Sequence, residues 1–278
     1  MDDWLLDFNA KIPDQNDPDR VEALKNLRMR LSSAATGWQD ALDERHLLKL
    51  LRYTKFQPAE AFAMLRTIQK DRLAYPDLIL PVGKGPRDYA HVYGLRCVEV
   101  LRHRNPRDGS AVVILRLGDW TPETGVDFRQ AQSAAAFLAD VVLEDERIQR
   151  DGVTLILDCR GLRLSHLINF LPLSSVPNLV KTIQDGSPVH FSGVHILNQP
   201  MMYKVIFKIA WPFIKKESRD RIHFHDTKID ALHEFLPRAI LPHDLLGQQQ
   251  PDFDWIAETM YSRHDDYVAR SKFMPTGS

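Results

Sequence analysis

The sequence predicts an α/β protein whose N-terminal part is helical. Apolar residues recur at helical spacing through residues 21–75. From residue 97 onward, short β-branched runs alternate with longer amphipathic segments. This alternation is typical of a mixed β-sheet with crossover helices packed on its faces. We therefore expect a helical lobe at residues 1–76, an α/β domain at residues 77–248 and a C-terminal helical tail at residues 249–278.

Three helices are predicted in the N-terminal lobe. The apolar residues that define them are Val21, Leu24, Leu27 and Leu31 in the first, Leu47, Leu48, Leu50 and Leu51 in the second, and Phe62, Leu65 and Ile68 in the third. Pro58 suits the first turn of the third helix. Residues 76–94 contain three prolines and three glycines that interrupt any regular pattern, so they predict a connector.

The α/β part begins with a hairpin signature. The apolar runs 97–101 and 111–117 flank a polar stretch with Asp108-Gly109. A helix rich in alanine follows at 128–147, and the run 152–158 predicts a buried strand. A second helix at 173–185 and a second strand at 189–197 continue the alternation. These elements predict parallel strands joined by helices.

Composition excludes several classes of protein. The net charge of -1 over 278 residues gives no overall attraction to nucleic acid. The two cysteines, Cys97 and Cys159, lie in strand-like runs, which favours a reducing compartment over a disulfide scaffold. The acidic N-terminus does not resemble a secretory signal, and no run reaches the ~18 apolar residues of a membrane span. We expect a cytoplasmic monomer that meets membranes only transiently and from outside.

Residues 201–214, called here the lid segment, are apolar on two faces. Met202, Ile206, Ile209 and Phe213 occupy one face, whereas Met201, Val205, Phe207, Trp211 and Ile214 occupy the other. We expect Asn198 to cap this helix and Pro200 to lie in its first turn. A helix that is apolar nearly all round is buried or faces a lipid phase. A central core helix and a lid over an apolar pocket both fit this pattern.

Basic residues follow the lid segment directly: Lys215, Lys216, Arg219 and Arg221. Such a cluster beside an exposed apolar helix suits anionic headgroups, and a solvated helix end interleaved with Glu217 and Asp220 fits equally well.

Catalytic and metal-binding patterns are weak. His223 and His225 share one face of a strand, but no third ligand at metal-site spacing accompanies them, so we predict no metal. Asp158, Ser165 and His166 supply the residue types of a triad without a nucleophile elbow. Neither a phosphate-binding loop nor a dinucleotide motif occurs. We predict a protein that is not an enzyme and has no cofactor.

Five segments in one order carry a family resemblance. They are residues 47–56 (LLKLLRYTKF), 112–122 (VVILRLGDWTP), 152–166 (GVTLILDCRGLRLSH), 187–200 (SPVHFSGVHILNQP) and 221–225 (RIHFH), followed by Leu241-Pro242. Together they make the chain similar to the CRAL-TRIO lipid carriers over residues 20–260. The resemblance implies a helical lobe beside an α/β lobe that holds a hydrophobic lipid between a mixed sheet floor and a mobile helical lid.

The resemblance also implies which residues line the pocket. Small or apolar side chains from two helices, two strands and the lid segment are expected there: Ala135, Ala136, Ala139, Val153, Leu157, Leu179, Thr182, Ile183, Phe191, Val194, Met202, Ile206, Ile209 and Phe213. The implied ligand is one tocopherol-, retinoid- or carotenoid-like molecule. Hydroxyl-bearing residues of the family's tocopherol carriers are replaced here by Ala135 and Ala139, which argues against tocopherol itself.

The implied membrane contact involves phosphoinositides. Where the tocopherol carriers have basic headgroup-binding residues, this chain has His190 and Glu217 and keeps Arg221. We assign the contact to His190, Phe207, Trp211, Lys215, Lys216, Arg219 and Arg221. Three alternatives stay open: phosphatidylinositol or phospholipid transfer by the same fold, a phosphoinositide-regulated binding module, and a protein-interaction module with a vestigial pocket.

Overall fold

Three helices form the first hydrophobic cluster of the chain. The computed structural model describes residues 4–12, 18–34, 42–77, 80–163, 165–166, 176–201 and 203–271. The helices are α1 (Pro18–Ser33), α2 (Glu44–Tyr53) and α3 (Pro58–Ala74). Leu27 and Leu31 of α1, Leu51 of α2 and Ala61 of α3 are at most 2% exposed and pack together. The predicted N-terminal helices are therefore present, and their apolar faces form one core.

The predicted connector at 76–94 is wrong over its second half. A 3-10 turn at Pro86–Tyr89 leads into the short helix α4 (Ala90–Tyr93). Pro86 lies in the first turn, and the Asp88 carboxylate accepts a hydrogen bond from the backbone N–H of Gly85 at 2.9 Å. The Tyr89 ring packs on Phe137 with 5.6 Å between centroids, which ties the turn to the main core. Capping and this aromatic contact outweigh the helix-breaking composition.

Five strands form one mixed sheet. They are β1 (Val98–Val100), β2 (Ala111–Arg116), β3 (Val153–Asp158), β4 (Phe191–Leu197) and β5 (Ile222–Asp226), and their spatial order follows the sequence. Strand β1 runs antiparallel to β2, and the remaining pairs are parallel. The hairpin and the mixed sheet are thus confirmed. Gly109, with φ of 80°, provides the left-handed residue that the hairpin turn needs.

Helices connect the parallel strands. Between β2 and β3 lie α5 (Phe128–Val142) and α6 (Glu146–Asp151), and between β3 and β4 lies α7 (Val176–Asp185). The single helix predicted at 128–147 is wrong, because Asp145 accepts from the N–H of Arg147 and begins a new helix. Residues 173–175 of the predicted second helix lie outside the described residues.

The lid segment occupies the β4–β5 connection. It contains α8 (Tyr203–Ala210) and a 3-10 turn at Trp211–Phe213, and α9 (Lys216–Arg219) follows it. In the part of the chain that the structure describes, no helix combines the length and the apolar character that crossing a membrane requires.

The C-terminal part covers the sheet from two directions. A 3-10 segment at Ile229–Glu234 and the turn His243–Leu245 place Leu232, Leu236, Leu241 and Leu245 against one face. Helices α10 (Asp254–Ser262) and α11 (His264–Ser271) bring Ile256, Met260 and Tyr267 into the cluster built around α5. The helical character predicted for the tail is present through residue 271, whereas the domain boundaries at 76 and 248 stay predictions.

A buried carboxylate joins three parts of the chain. Asp140 of α5 contacts the Lys49 ammonium of α2 at 2.6 Å, the Arg270 guanidinium of α11 at 3.0 Å and the Tyr267 hydroxyl at 2.7 Å. Burial alone would raise the pKa of Asp140, but Lys49 and Arg270 outweigh burial and hold that pKa well below its usual range. Asp140 is therefore ionised at neutral pH and links all three predicted segments.

Replacing Asp140 should destabilise the fold strongly. Asp140→Ala leaves Lys49 and Arg270 in a largely buried site without their counterion, which costs about 3–5 kcal/mol of the free energy of unfolding. The matched control is Asp254→Ala, because Asp254 pairs with Arg96 on the open surface and such pairs contribute about 1 kcal/mol or less. Urea unfolding followed by circular dichroism measures both. Equal midpoints for the two variants would contradict the role of Asp140.

Candidate functional site

The two faces of the central sheet are covered to different extents. On the face toward the C-terminal segment, Val112, Ile114, Ile156 and Leu197 are 0% exposed. On the opposite face, called here the floor face, five residues of the three central strands are only half-buried: Val113, Leu115, Leu155, Leu157 and Val194. In a parallel sheet, the apolar side chains of the central strands are normally buried on both faces. The floor face is therefore incompletely covered at its centre.

The floor face includes every strand residue predicted to line the pocket. Leu157 and Val194 are half-buried at its centre. Val153 lies at its amino end, where it is buried with α5, and Phe191 packs beside it. The sequence analysis missed Val113, Leu115 and Leu155. Period-two alternation along β3 places Leu155 on the same face as Val153 and Leu157, and that signal could have found it.

The alanine-rich helix α5 borders the floor. Its buried stripe, which contains Ala134, Phe137, Leu138 and Val141, packs against the amino ends of the strands. The predicted lining residues lie beside this stripe: Ala136 and Ala139 are half-buried and Ala135 is exposed. Methyl side chains at these positions fill little of the space in front of the helix.

Helix α7 and the lid segment pack against each other. Ile206 is 7% exposed and contacts a cluster that contains Val176 and Val180 of α7 and Ile209 of the lid. Leu179 and Thr182 are half-buried, whereas Ile183 and Phe213 are 39% and 49% exposed. The structure thus brings Ile206 and Ile209 to α7 and leaves Ile183 and Phe213 at the surface. Met202 lies outside the described residues.

The near end of the lid is fixed at the carboxyl edge of the sheet. Asn198 does not cap a helix as predicted, because α8 begins only at Tyr203. Instead Asn198 takes a left-handed conformation with φ of 52°, and its side-chain amide donates to the buried Asp158 carboxylate at 2.9 Å. Its backbone N–H donates to the carbonyl of Asp226 at 2.6 Å. This residue therefore joins β3, β4 and β5 where the lid begins.

The sequence matches the model of a known family. A family model described as the CRAL/TRIO domain matches residues 98–247, which is more than half of the chain. The chain belongs to the CRAL/TRIO domain family. This family comprises proteins that bind and transfer hydrophobic lipids.

The chain is also similar to several named proteins. The chain is 28% identical over 251 residues to the "Alpha-tocopherol transfer protein-like" protein of Homo sapiens, covering 90% of this chain and 72% of that protein. It is 26% identical over 234 residues to Clavesin-1 of Rattus norvegicus, covering 82% and 65%. A solved structure titled "Crystal structure of Sfh5" aligns with 80% of this chain and 84% of that chain at 11% identity, with a TM-score of 0.44.

Aromatic residues of this CRAL/TRIO domain continue from the lid segment onto the edge strand. The Phe207 ring meets the Phe224 ring of β5 edge-on, with 4.7 Å between centroids, and lies 5.3 Å from the ring of Trp211. Trp211 and Phe224 are 38% and 44% exposed, and Val205, on the same helix as Phe207, is 53% exposed. The predicted outward residues Phe207 and Trp211 therefore share one partly exposed apolar surface with Phe224, which the sequence analysis missed.

Three of the four basic residues after the lid, Lys215, Arg219 and Arg221, have partners within the chain. Lys215 pairs with Asp185 at 2.8 Å, and this hydrogen bond raises the pKa of Lys215. Arg219 donates to the carbonyl of Trp211 at 3.0 Å and lies over its ring. Lys216 is exposed. The basic cluster thus contacts the apolar surface through Arg219 and faces solvent through Lys216.

The predicted headgroup residues His190 and Arg221 lie together. The Arg221 guanidinium donates to the carbonyl of Phe191 at 2.9 Å and lies 3.0 Å from Nε2 of His190. Burial first, and then the charges of Arg221 and Lys55, lower the pKa of His190. A neutral His190 can accept a hydrogen bond from Arg221. The two side chains, which are 31 positions apart in the sequence, therefore share one site.

The triad residue types do not assemble a catalytic relay. The Asp158 carboxylate binds Asn198 and the Arg160 guanidinium. Nδ1 of His166 accepts from the backbone N–H of Arg163, whereas a triad histidine uses that nitrogen to bind its carboxylate.

A stack of three histidines lies on the sheet face opposite the floor. His195 Nδ1 and His225 Nε2 are 2.9 Å apart, His223 stacks on His195 with 5.1 Å between centroids, and Phe235 covers all three rings. Within the described residues, no group of three or more histidine, cysteine or acidic side chains could hold a metal ion. Burial and the neighbouring rings lower the pKa of His195 to about 3, and burial lowers the pKa of His223 and His225.

Stability should therefore fall in acid. Because the folded pKa values lie below the ordinary histidine value, the unfolded chain binds more protons between about pH 6.5 and the folded pKa. For each of these histidines, the free energy of unfolding decreases by up to about 1.4 kcal/mol per pH unit as the pH falls through that window. His195→Leu should flatten this dependence, measured by urea unfolding from pH 7.5 to 5.0, whereas His91→Leu, at an exposed site, should retain it. Parallel profiles for the wild type and His195→Leu would contradict the assignment.

Proposed function

We propose that this protein is a cytoplasmic carrier that encloses one small hydrophobic lipid beneath the lid segment and transfers it at membranes. The observation that carries the proposal is the half-buried centre of the floor face. Leu115, Leu155, Leu157 and Val194 are large apolar residues between flanking helices, yet protein atoms cover them only in part. A bound lipid would complete their burial.

The ligand that fits best is neutral and isoprenoid-like, in the class of tocopherols, retinoids and carotenoids. The five central floor residues are all apolar, and among the predicted lining residues only Thr182 carries a hydroxyl. A phospholipid headgroup buried there would need hydrogen-bonding partners that these side chains do not supply. Burial of ~400 Å² of apolar ligand surface is worth ~10 kcal/mol before ordering costs are subtracted.

Lipid binding is tested by introducing a charge into the floor. Leu157→Arg should abolish saturable binding, because a guanidinium in an apolar cavity has no partner. Fluorescence titration with retinol, tocopherol, a carotenoid and phosphatidylcholine measures this, and mass spectrometry of lipid extracted with the purified protein identifies what is bound. Leu73→Arg is the matched control, because Leu73 of α3 is 46% exposed. Absence of binding by the wild type to every lipid would refute the carrier proposal.

The surface of Val205, Trp211 and Phe224 is proposed to contact the membrane. Its apolar side chains lie next to Lys216 and Arg219, and this pairing suits insertion among anionic headgroups. Each basic residue near such a surface contributes ~1 kcal/mol, screened by salt. The site formed by His190 and Arg221, where the charge of Lys55 also acts on His190, is the observation that favours phosphoinositide-regulated release as a second function.

Membrane contact is tested with acidic substitutions on this surface. Val205→Asp combined with Trp211→Asp should reduce vesicle flotation and slow lipid transfer at least fivefold, with equilibrium lipid affinity nearly unchanged, because both side chains are exposed. Vesicles of phosphatidylcholine, with and without phosphatidylinositol 4,5-bisphosphate, separate apolar insertion from headgroup recognition. Val21→Asp is the control, since Val21 of α1 is 57% exposed. Unchanged flotation of the double variant would exclude this surface.

A further inference from the structure

The Gln184 side chain of α7 binds the backbone at the far end of the lid segment. The amide nitrogen of Gln184 donates to the backbone carbonyl of Phe213 at 2.9 Å. Its amide oxygen accepts from the backbone N–H of Lys215, also at 2.9 Å. Both hydrogen bonds are made to main-chain groups at the point where the lid ends. Gln184 therefore binds the backbone on both sides of Ile214, whose own carbonyl accepts from Arg219 of α9 at 2.9 Å.

The helical lobe in turn anchors this end of α7. The Tyr53 hydroxyl of α2 donates to the backbone carbonyl of Gln184 at 3.2 Å. The neighbouring Asp185 pairs with the Lys215 ammonium at 2.8 Å. Contacts thus run from α2 through the last residues of α7 to the end of the lid segment.

The two ends of the lid segment differ in how firmly they are held. At the near end, Asn198 binds the Asp158 carboxylate, which is 3% exposed. At the far end, the bonds of Gln184 are solvent-exposed, so water can replace them at low cost. Ion pairs on an open surface, such as Asp185 with Lys215, also add little. Exposed bonds of this kind are the first to open in local unfolding.

We infer that Gln184 is the positioning residue that latches the lid segment closed, and that its two hydrogen bonds break when the lid opens for lipid exchange. This inference rests on the proposed carrier function. Ile206 and Ala210 keep the middle of the lid on α7 through apolar contacts with Val176 and Val180. The latch adds the directional restraint that apolar contacts lack.

Gln184→Met tests the latch, because methionine keeps the length of the side chain and makes neither hydrogen bond. Loss of two exposed hydrogen bonds should raise the opening equilibrium roughly tenfold. Amide hydrogen exchange measured by mass spectrometry, without added lipid, should show about tenfold faster exchange in peptides covering residues 203–215. Peptides of β3 and β4 should be unchanged. Gln69→Met on α3 is the matched control.

A second readout connects the latch to transfer. The rate at which bound retinol leaves for phosphatidylcholine vesicles should increase roughly tenfold in Gln184→Met. Unchanged exchange at 203–215, or an equal increase across β3 and β4, would overturn the latch, since a merely structural role raises exchange everywhere. If wild-type protein binds no retinol while exchange at 203–215 still rises in the variant, the latch stands and retinol carriage fails.

Discussion

A parallel sheet has to be covered on both faces, and this protein meets that constraint by two different means. One face packs against leucines of the C-terminal segment, where Ile114 and Ile156 are completely buried. The other face is flanked by α5 and the lid segment, and its central residues stay half-buried. Filling this face with protein side chains would stabilise the fold and remove the space for a ligand. In the carrier proposed above, this asymmetry between the faces assigns the ligand to the half-covered face.

Local sequence patterns predict the strands and helices well, because periodicity and turn residues are local properties. They fail where distant contacts decide. Leu155 shares a face of β3 with Val153 and Leu157, which the alternation of the sequence shows, but the partial exposure of that face depends on the packing of distant helices. Asn198 is of a residue type that often caps helices, but its side chain binds Asp158, a residue 40 positions earlier. The pocket residues rest on the family resemblance, since an apolar residue beside a cavity and one in a core look alike in sequence.

Electrostatics holds the lobes together around the less completely packed face. Asp140 lies on α5, one residue from the half-buried Ala139. Its ion pairs with Lys49 and Arg270 fix α5 against α2 and α11. Glu146 at the start of α6 likewise binds Arg52 of α2 at 3.1 Å. Buried pairs of this kind are specific in geometry. They fix α5 and α6 relative to α2 and α11.

The lid segment is also the crossover between two adjacent parallel strands. The 24 residues at 198–221 leave β4 after Leu197 and return to β5 at Ile222, which pairs with Val194 about 10 Å back along the sheet. Both ends of the moving part are therefore tethered within the same sheet. Closing a tethered loop needs no diffusional search and its entropic cost changes slowly with length, so reclosure is a fast, concentration-independent event. In the carrier proposed above, a lid tethered in this way would reseal quickly after each opening, so cargo exchange would be confined to the time spent at the membrane.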